Sequence, residues 1–181
     1  MTTAFDFAPI LEGQCVGLRP LVPADRDALH SVAADPLIWE VHPTPTRWQR
    51  PVFDALFDDT MAEGGGMAIH DRATGALIGS SRFSVRYAEP GEAEIGWTFL
   101  ARAHWGGAIN RDVKRTMLVH AFRFVDRVIF RVGIDNIRSR RAMEKIGGIE
   151  IRRWRDPAKP HVPEHVVYAI DKAAFAAGPL A

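Results

Sequence analysis

With 181 residues, 47% hydrophobic and 25% charged, the chain has the make-up of one folded domain over 1–181, and the composition excludes a disordered or collagen-like polymer. Lys and Arg number 23 against 22 Asp and Glu, so a nucleic-acid binder would have to gather its basic residues on one face. Cys15 is the single cysteine, which rules out an internal disulfide; no basic-then-apolar leader opens the chain, and no run approaches the roughly 18 apolar residues of a membrane span, so a cytoplasmic location is expected.

In chain order, Cys15–Leu21 reads as a short strand. Pro23-Ala24-Asp25 then opens a helix that ends near Ala34, before Asp35-Pro36. A second helix is expected from about Pro51 to Glu63, stopped by Gly64-Gly65-Gly66. Between the two lies a stiff loop, Trp39 to Trp48, whose tryptophans either wall a pocket or pack the helices. Met67–Asp71, Ala76–Tyr87 and Glu94–Leu100 form an antiparallel meander, with Met67, Ile69, Phe83 and Val85 expected in the core. After a central amphipathic helix come a strand at Arg127–Gly133, a helix at Arg138–Ile146, strands at Ile149–Trp154 and His165–Ile170, and a short tail helix from Asp171-Lys172.

The organising stretch is Trp105-Gly106-Gly107-Ala108, between the Glu94–Leu100 strand and the central helix. Small residues let consecutive N–H groups converge, and the first helical turn adds unpaired donors at the positive end of the macrodipole; together these form an anion cradle. The spacing matches neither a P-loop nor a dinucleotide fingerprint. His104 and His120 flank the central helix without a Cys or carboxylate at ligand spacing, so no metal site is expected.

Five motifs in order carry a resemblance: Leu18-Arg19-Pro20-Leu21; Gly75 with Leu77-Ile78-Gly79; Glu94-Ile95-Gly96-Trp97; Trp105 to Asn110 with His120-Ala121-Phe122; and Asn136-Ile137-Arg138-Ser139 with Glu144 to Gly147. From about Val16 to Asp171 the chain resembles the GNAT N-acetyltransferase superfamily, and within it the RimJ/RimL-type branch, which acetylates N-terminal amines of ribosomal proteins and, in many members, other amines. The resemblance implies an α/β (α+β) fold with a mixed sheet of about seven strands flanked by helices. It implies acetyl-CoA as co-substrate, with Trp105, Gly106, Gly107, Ala108, Ile109 and Asn110 on the pyrophosphate, Phe99 and Leu100 along the pantetheine, Asn136 bonding to it, and Arg140, Arg141 or Lys145 near the ribose phosphate. Glu94 matches a position where members often hold a general base, with Glu92, Glu89 and Glu40 as rivals.

The sequence departs from the pattern at Met143, where many members carry a tyrosine that protonates the CoA thiolate; a thioether cannot donate a proton, and Ser139 is the residue the branch offers instead. Ala103 and Gly148 are further departures, which leave the backbone amides in place. The acceptor implied is a primary amine, either a protein N-terminus or a small molecule, bound among Trp39, Glu40, Trp97 and Trp154 in a cleft floored by the Trp154–Pro163 loop. The resemblance also admits a homodimer, and no membrane partner. Two rivals stand beside the enzyme: a non-catalytic acyl-CoA-binding module, and a nucleic-acid-associated protein using the basic stretch Arg138–Arg155.

Overall fold

A computed structural model describes residues 4–156 and 162–181. Among the described residues, eight strands form one sheet in the order β1-β2-β3-β4-β5-β6-β8-β7. They are β1 (Leu11–Glu12), β2 (Val16–Pro20), β3 (Gly66–Asp71), β4 (Leu77–Ser84), β5 (Glu92–Leu100), β6 (Arg127–Gly133), β7 (Ile149–Trp154) and β8 (His165–Asp171). The expected set of about seven is extended by β1, whose two residues are too short to show alternation. All neighbours run antiparallel except β5 and β6, which are parallel and pair only at Glu92–Arg127, Ala93–Val128 and Glu94–Ile129. Beyond Glu94 and Ile129 the two strands part, leaving a fork in mid-sheet.

Helices α1 (Arg26–Ala33) and α2 (Arg50–Glu63) cover one face, and α3 (Ala108–Ala121), α4 (Ile137–Lys145) and α5 (Lys172–Ala176) the other. On the α3 face, Ile95, Leu100, Val113, Met117, Phe130 and Tyr168 share one apolar cluster, and on the α1/α2 face Leu29, Trp39, Phe53, Phe57 and Phe99 share another. Burying such side chains stabilises by about 1.5–3 kcal/mol each. Met67, Ile69 and Phe83 lie in the core as expected, but Val85 is half exposed, because β4 ends at Ser84 and the alternation stops with it. Asp112 of α3 is buried and accepts from the backbone N–H groups of Cys15 (2.6 Å) and Val16 (3.1 Å), tying the start of β2 to the central helix. An added Cβ on Gly13 would fall 2.5 Å from that carboxylate, so the sharp approach there requires glycine.

Candidate active site

One cavity of about 740 Å³ follows the fork. Its two arms are residues 95–100 of β5 and 130–133 of β6, and it extends from the start of α3 to the 38–47 loop and His165. The β5 arm carries a bulge opposite Ser81, since Ser80 faces Phe99 while Arg82 faces Gly96. Trp97 takes up the extra residue in a left-handed conformation (φ 53°), which non-glycine residues adopt rarely and at a cost of order 1 kcal/mol. The fully buried Arg82 guanidinium stacks 3.5 Å from the Trp97 ring, and donates to Asp59 (2.9 Å) and Thr60 (3.3 Å) of α2. These contacts hold the strained residue in place. Past the bulge, the Ala101 N–H donates to Ile78 of β4 (2.8 Å), and strand alternation therefore turns the Leu100 N–H toward the fork.

At the entry, Gly106 sits at φ 71° and Gly107 is the N-cap of α3, so no side chain caps the helix. Nothing lies within 4 Å of a Cβ added to either glycine, and the first-turn amides of Ala108, Ile109 and Asn110 have no capping side chain above them. The Arg138 guanidinium stacks 4.1 Å from the Trp105 ring and donates to the Ile38 carbonyl (3.0 Å); the Trp105 indole donates to the Leu100 carbonyl (3.0 Å). Asn136 is the N-cap of α4: its Oδ1 accepts from the Ser139 N–H (3.1 Å), which leaves Nδ2 as the part of the amide available to a ligand.

Of the residues expected to bind cofactor, Phe99, Leu100, Trp105, Gly106, Gly107, Asn110, Asn136 and Arg141 line the cavity, while Ala108 and Ile109, the first two residues of α3, are not among the lining residues. Ser139, Trp39 and Trp97 also line it. Trp39 is at the same time a packing residue, its indole donating to the Ala33 carbonyl (2.7 Å) and its ring lying 5.3 Å from Phe99. Arg140 turns away, to the Tyr168 hydroxyl.

Glu94 and Glu40 are not among the lining residues. Both Glu94 oxygens accept from Arg131 Nε, at 2.9 and 3.0 Å, in a pair that is almost wholly buried. Burial pushes the Glu94 carboxyl up and Arg131 opposes that shift. Trp154 likewise serves Arg131: its ring lies 4.5 Å from that guanidinium, with Tyr87 at 3.9 Å. Glu40 is exposed beside Arg138. Glu89 and Glu92 pair with Arg152, outside the cavity. The floor expected from Trp154 to Pro163 falls in part on 157–161, outside the described residues.

Sequence periodicity gives no warning of Lys114. It stands on the inward face of α3 and is 4% exposed. Its Nζ donates to Thr98 Oγ1 (2.7 Å), which shares a 2.7 Å hydrogen bond with Ser81, and lies 5.3 Å from the Phe130 ring. Thr98 and Phe130 belong to opposite arms, so the ammonium occupies the floor of the fork. Burial alone lowers Lys114 from 10.5 to about 7.

The basic stretch Arg138–Arg155 is dispersed: Arg138 and Arg140 are held as described, Arg152 pairs with Glu92 and Arg153 with Glu150. Among the described residues no group of His, Cys, Asp and Glu is placed to hold a metal ion, and no helix is long and apolar enough to cross a membrane.

Residues 16–149 match the acetyltransferase (GNAT) domain model. The chain belongs to the GNAT acetyltransferase family. The fold agrees with solved members. A GCN5-related N-acetyltransferase from Brucella melitensis superposes with a TM-score of 0.76 at 20% identity, covering 96% of this chain and 86% of that one. RimJ of Mycobacterium smegmatis, solved with CoA-disulfide, gives 0.68 at 20% identity, covering 92% and 88%. The spermidine N-acetyltransferase of Vibrio cholerae, solved with CoA and spermine, gives 0.65 at 15% identity, covering 89% and 98%. The GNAT protein described here is thus an N-acetyltransferase, and the family's donor is acetyl-CoA.

The cavity suits that donor. Asn110, Arg111, Arg141 and Lys145 cluster with the open glycine turn at one end, and no carboxylate lines it among the described residues. A polyanion with a long, slender arm fits a cationic mouth leading into a fork of unpaired strand edge.

Proposed function

We propose that the protein transfers the acetyl group of acetyl-CoA to a primary amine by direct attack within a ternary complex. The observation that carries this reading is the fork itself: one cavity joins the uncapped α3 amides to a buried lysine between the two strand arms.

The amides of Ala108, Ile109 and Asn110, opened by Gly106 and Gly107, hold the pyrophosphate, and Arg141 with Lys145 meets the ribose phosphate. Phe99 and Leu100 offer their strand edge to the pantetheine amides, with Asn136 Nδ2 opposite. Bound acetyl-CoA supplies an activated thioester. The Leu100 N–H then faces the position where oxyanion charge develops and donates a hydrogen bond to it. Lys114, lowered to about 7 by burial, donates a proton from its ammonium form to the leaving sulfur, the attacking amine releases its own proton to solvent, and the lysine is reprotonated from solvent after the product departs. Ser139 is the second candidate for that proton, since its hydroxyl lines the same cavity. Trp39 and Trp97 wall the acceptor space, with Glu40 at the exposed rim.

Glu94 acts by fixing Arg131 and, through it, Tyr87 and Trp154. Glu94→Gln is therefore expected to lower activity at all pH values, because the Arg131 anchor weakens at every pH. A full-speed variant would make Glu94 dispensable. A loss confined to low pH would instead identify it as the base.

A further inference from the structure

We infer that the acceptor is a small amine carrying an anionic group close to the reacting nitrogen, most simply a free α-amino acid, and that Arg47 is the residue that receives its carboxylate. The inference rests on the acetyl-transfer reading above and concerns the other half of the same cavity.

The 39–48 loop lies over the α1/α2 face of the fork, where Pro43 closes so tightly on Gly133 that an added Cβ there would come within 2.5 Å. Arg47 lines the cavity from this loop, on the face opposite Lys114, with its guanidinium 5.5 Å from the Trp39 ring. Of the other lining cations on this side, Arg131 is neutralised by Glu94, and Arg138 is occupied by Trp105 and the Ile38 carbonyl.

Arg47 has the Trp39 ring beside it but, among the described residues, no carboxylate or carbonyl acceptor. Its polar neighbour is His42, with Nη1 at 3.1 Å from Nε2, but the Thr44 N–H donates to His42 Nδ1 at 2.9 Å. A neutral imidazole that accepts at Nδ1 carries its proton on Nε2, so Nε2 cannot accept from Arg47. Burial, reinforced by the charge of Arg47, holds His42 well below the usual imidazole range and so keeps it neutral. The charged groups facing Arg47 are Arg82, which repels it, and Asp59, which is already paired with Arg82 and Arg86. Burial lowers Arg47 itself to about 10. Its guanidinium, partly open to the cavity, is thus placed to take a ligand carboxylate bidentately.

The same census argues against polycationic acceptors. No carboxylate lines the cavity among the described residues, and the sequence of 157–161, Pro-Ala-Lys-Pro-His, contains none to add. A polyamine or aminoglycoside would meet Arg47 with no carboxylate on the cavity wall to pair its charges, only Glu40 at the exposed rim. Trp39 and Trp97 favour an apolar or aromatic side chain on the acceptor.

The test uses the full-length protein with acetyl-CoA and three matched amines, phenylalanine, phenylalaninamide and phenethylamine, with spermidine as a fourth; transfer is read as thiol release. In parallel, calorimetry follows N-acetylphenylalanine and N-acetylphenethylamine binding to the CoA-loaded protein. The expected result is a preference for the carboxylate in both assays of roughly tenfold or more, lost in Arg47→Met and partly restored in Arg47→Lys, with CoA affinity unchanged. Equal or better turnover of spermidine, the amide or the decarboxylated amine overturns the inference. So does a preference that survives Arg47→Met, or a CoA-loaded protein that binds neither carboxylate probe. Failure of CoA itself to bind in the same calorimeter would instead overturn the acetyl-transfer reading.

Discussion

Replacing Lys114 with methionine is expected to make the protein more stable at neutral pH while removing its proton donor. Lys114 is lowered from 10.5 to about 7 in the fold, so between those values the unfolded chain binds more protons than the native state, and native stability rises with pH across that window. The penalty for burying the lysine is thus fully present below about pH 7 and has vanished above about pH 10.5. At about 1.4 kcal/mol per unit, offset by the lost hydrogen bond to Thr98, the variant should gain on the order of 2–4 kcal/mol at pH 7, a rise in Tm of about 5–15 °C. Thermal denaturation at several pH values reads this directly: the advantage of Lys114→Met should shrink steadily as pH rises. The catalytic half of the claim is read in the CoA complex by ultraviolet titration of the thiol. An ammonium at the floor of the fork lowers the thiol below its ordinary value, and the methionine variant should return it to the value of free CoA. A less stable variant with no pH trend, or an unaltered thiol titration, would reduce Lys114 to a packing residue.

Gly107→Glu should weaken CoA binding by at least roughly tenfold, and by about a hundredfold if the carboxylate projects over the first turn of α3. Gly107 is the N-cap, its φ of −106° is open to any residue, and an added Cβ meets nothing within 4 Å, so the variant should fold normally. Its effect is electrostatic: a negative charge takes up the uncapped amides and repels phosphate. Gly107→Ala, which adds volume without charge, should bind CoA nearly as well as the parent. Equal losses in both variants would mean that backbone geometry, rather than charge, was disturbed. No loss in either would move the pyrophosphate elsewhere.

Much of this architecture was legible in the sequence because strand alternation, helical spacing and glycine stops report local structure. The glycine turn, Asn136 and the tryptophans of the 39–48 loop were found for that reason, and the order of elements then placed them together. What was not legible depends on which side chains meet across the sheet. Glu94 reads as an accessible carboxylate on an alternating strand, yet it is committed to Arg131, thirty-seven positions away. Lys114 reads as one more charge on an amphipathic helix, and its burial follows only from the separation of β5 and β6. Trp97 was marked as a wall of the site, but neither its left-handed conformation nor the Arg82 stack beneath it has a local signature. The Arg138–Arg155 stretch looked like a basic patch because the pairing of Arg152 with the remote Glu92 on β5, and of Arg140 and Arg153 with Glu150 inside the stretch, shows only in the fold.

The most direct test of the account is a calorimetric titration of the protein with CoA, acetyl-CoA and ATP, run beside thermal denaturation. Selective micromolar binding of the two CoA species is expected, with little binding of ATP and stabilisation of about 2.7 kcal/mol when ligand is present at about a hundred times its Kd. Binding of ATP as tight as that of CoA, or no binding of either CoA species, would contradict the assignment of the fork as the acetyl-donor site.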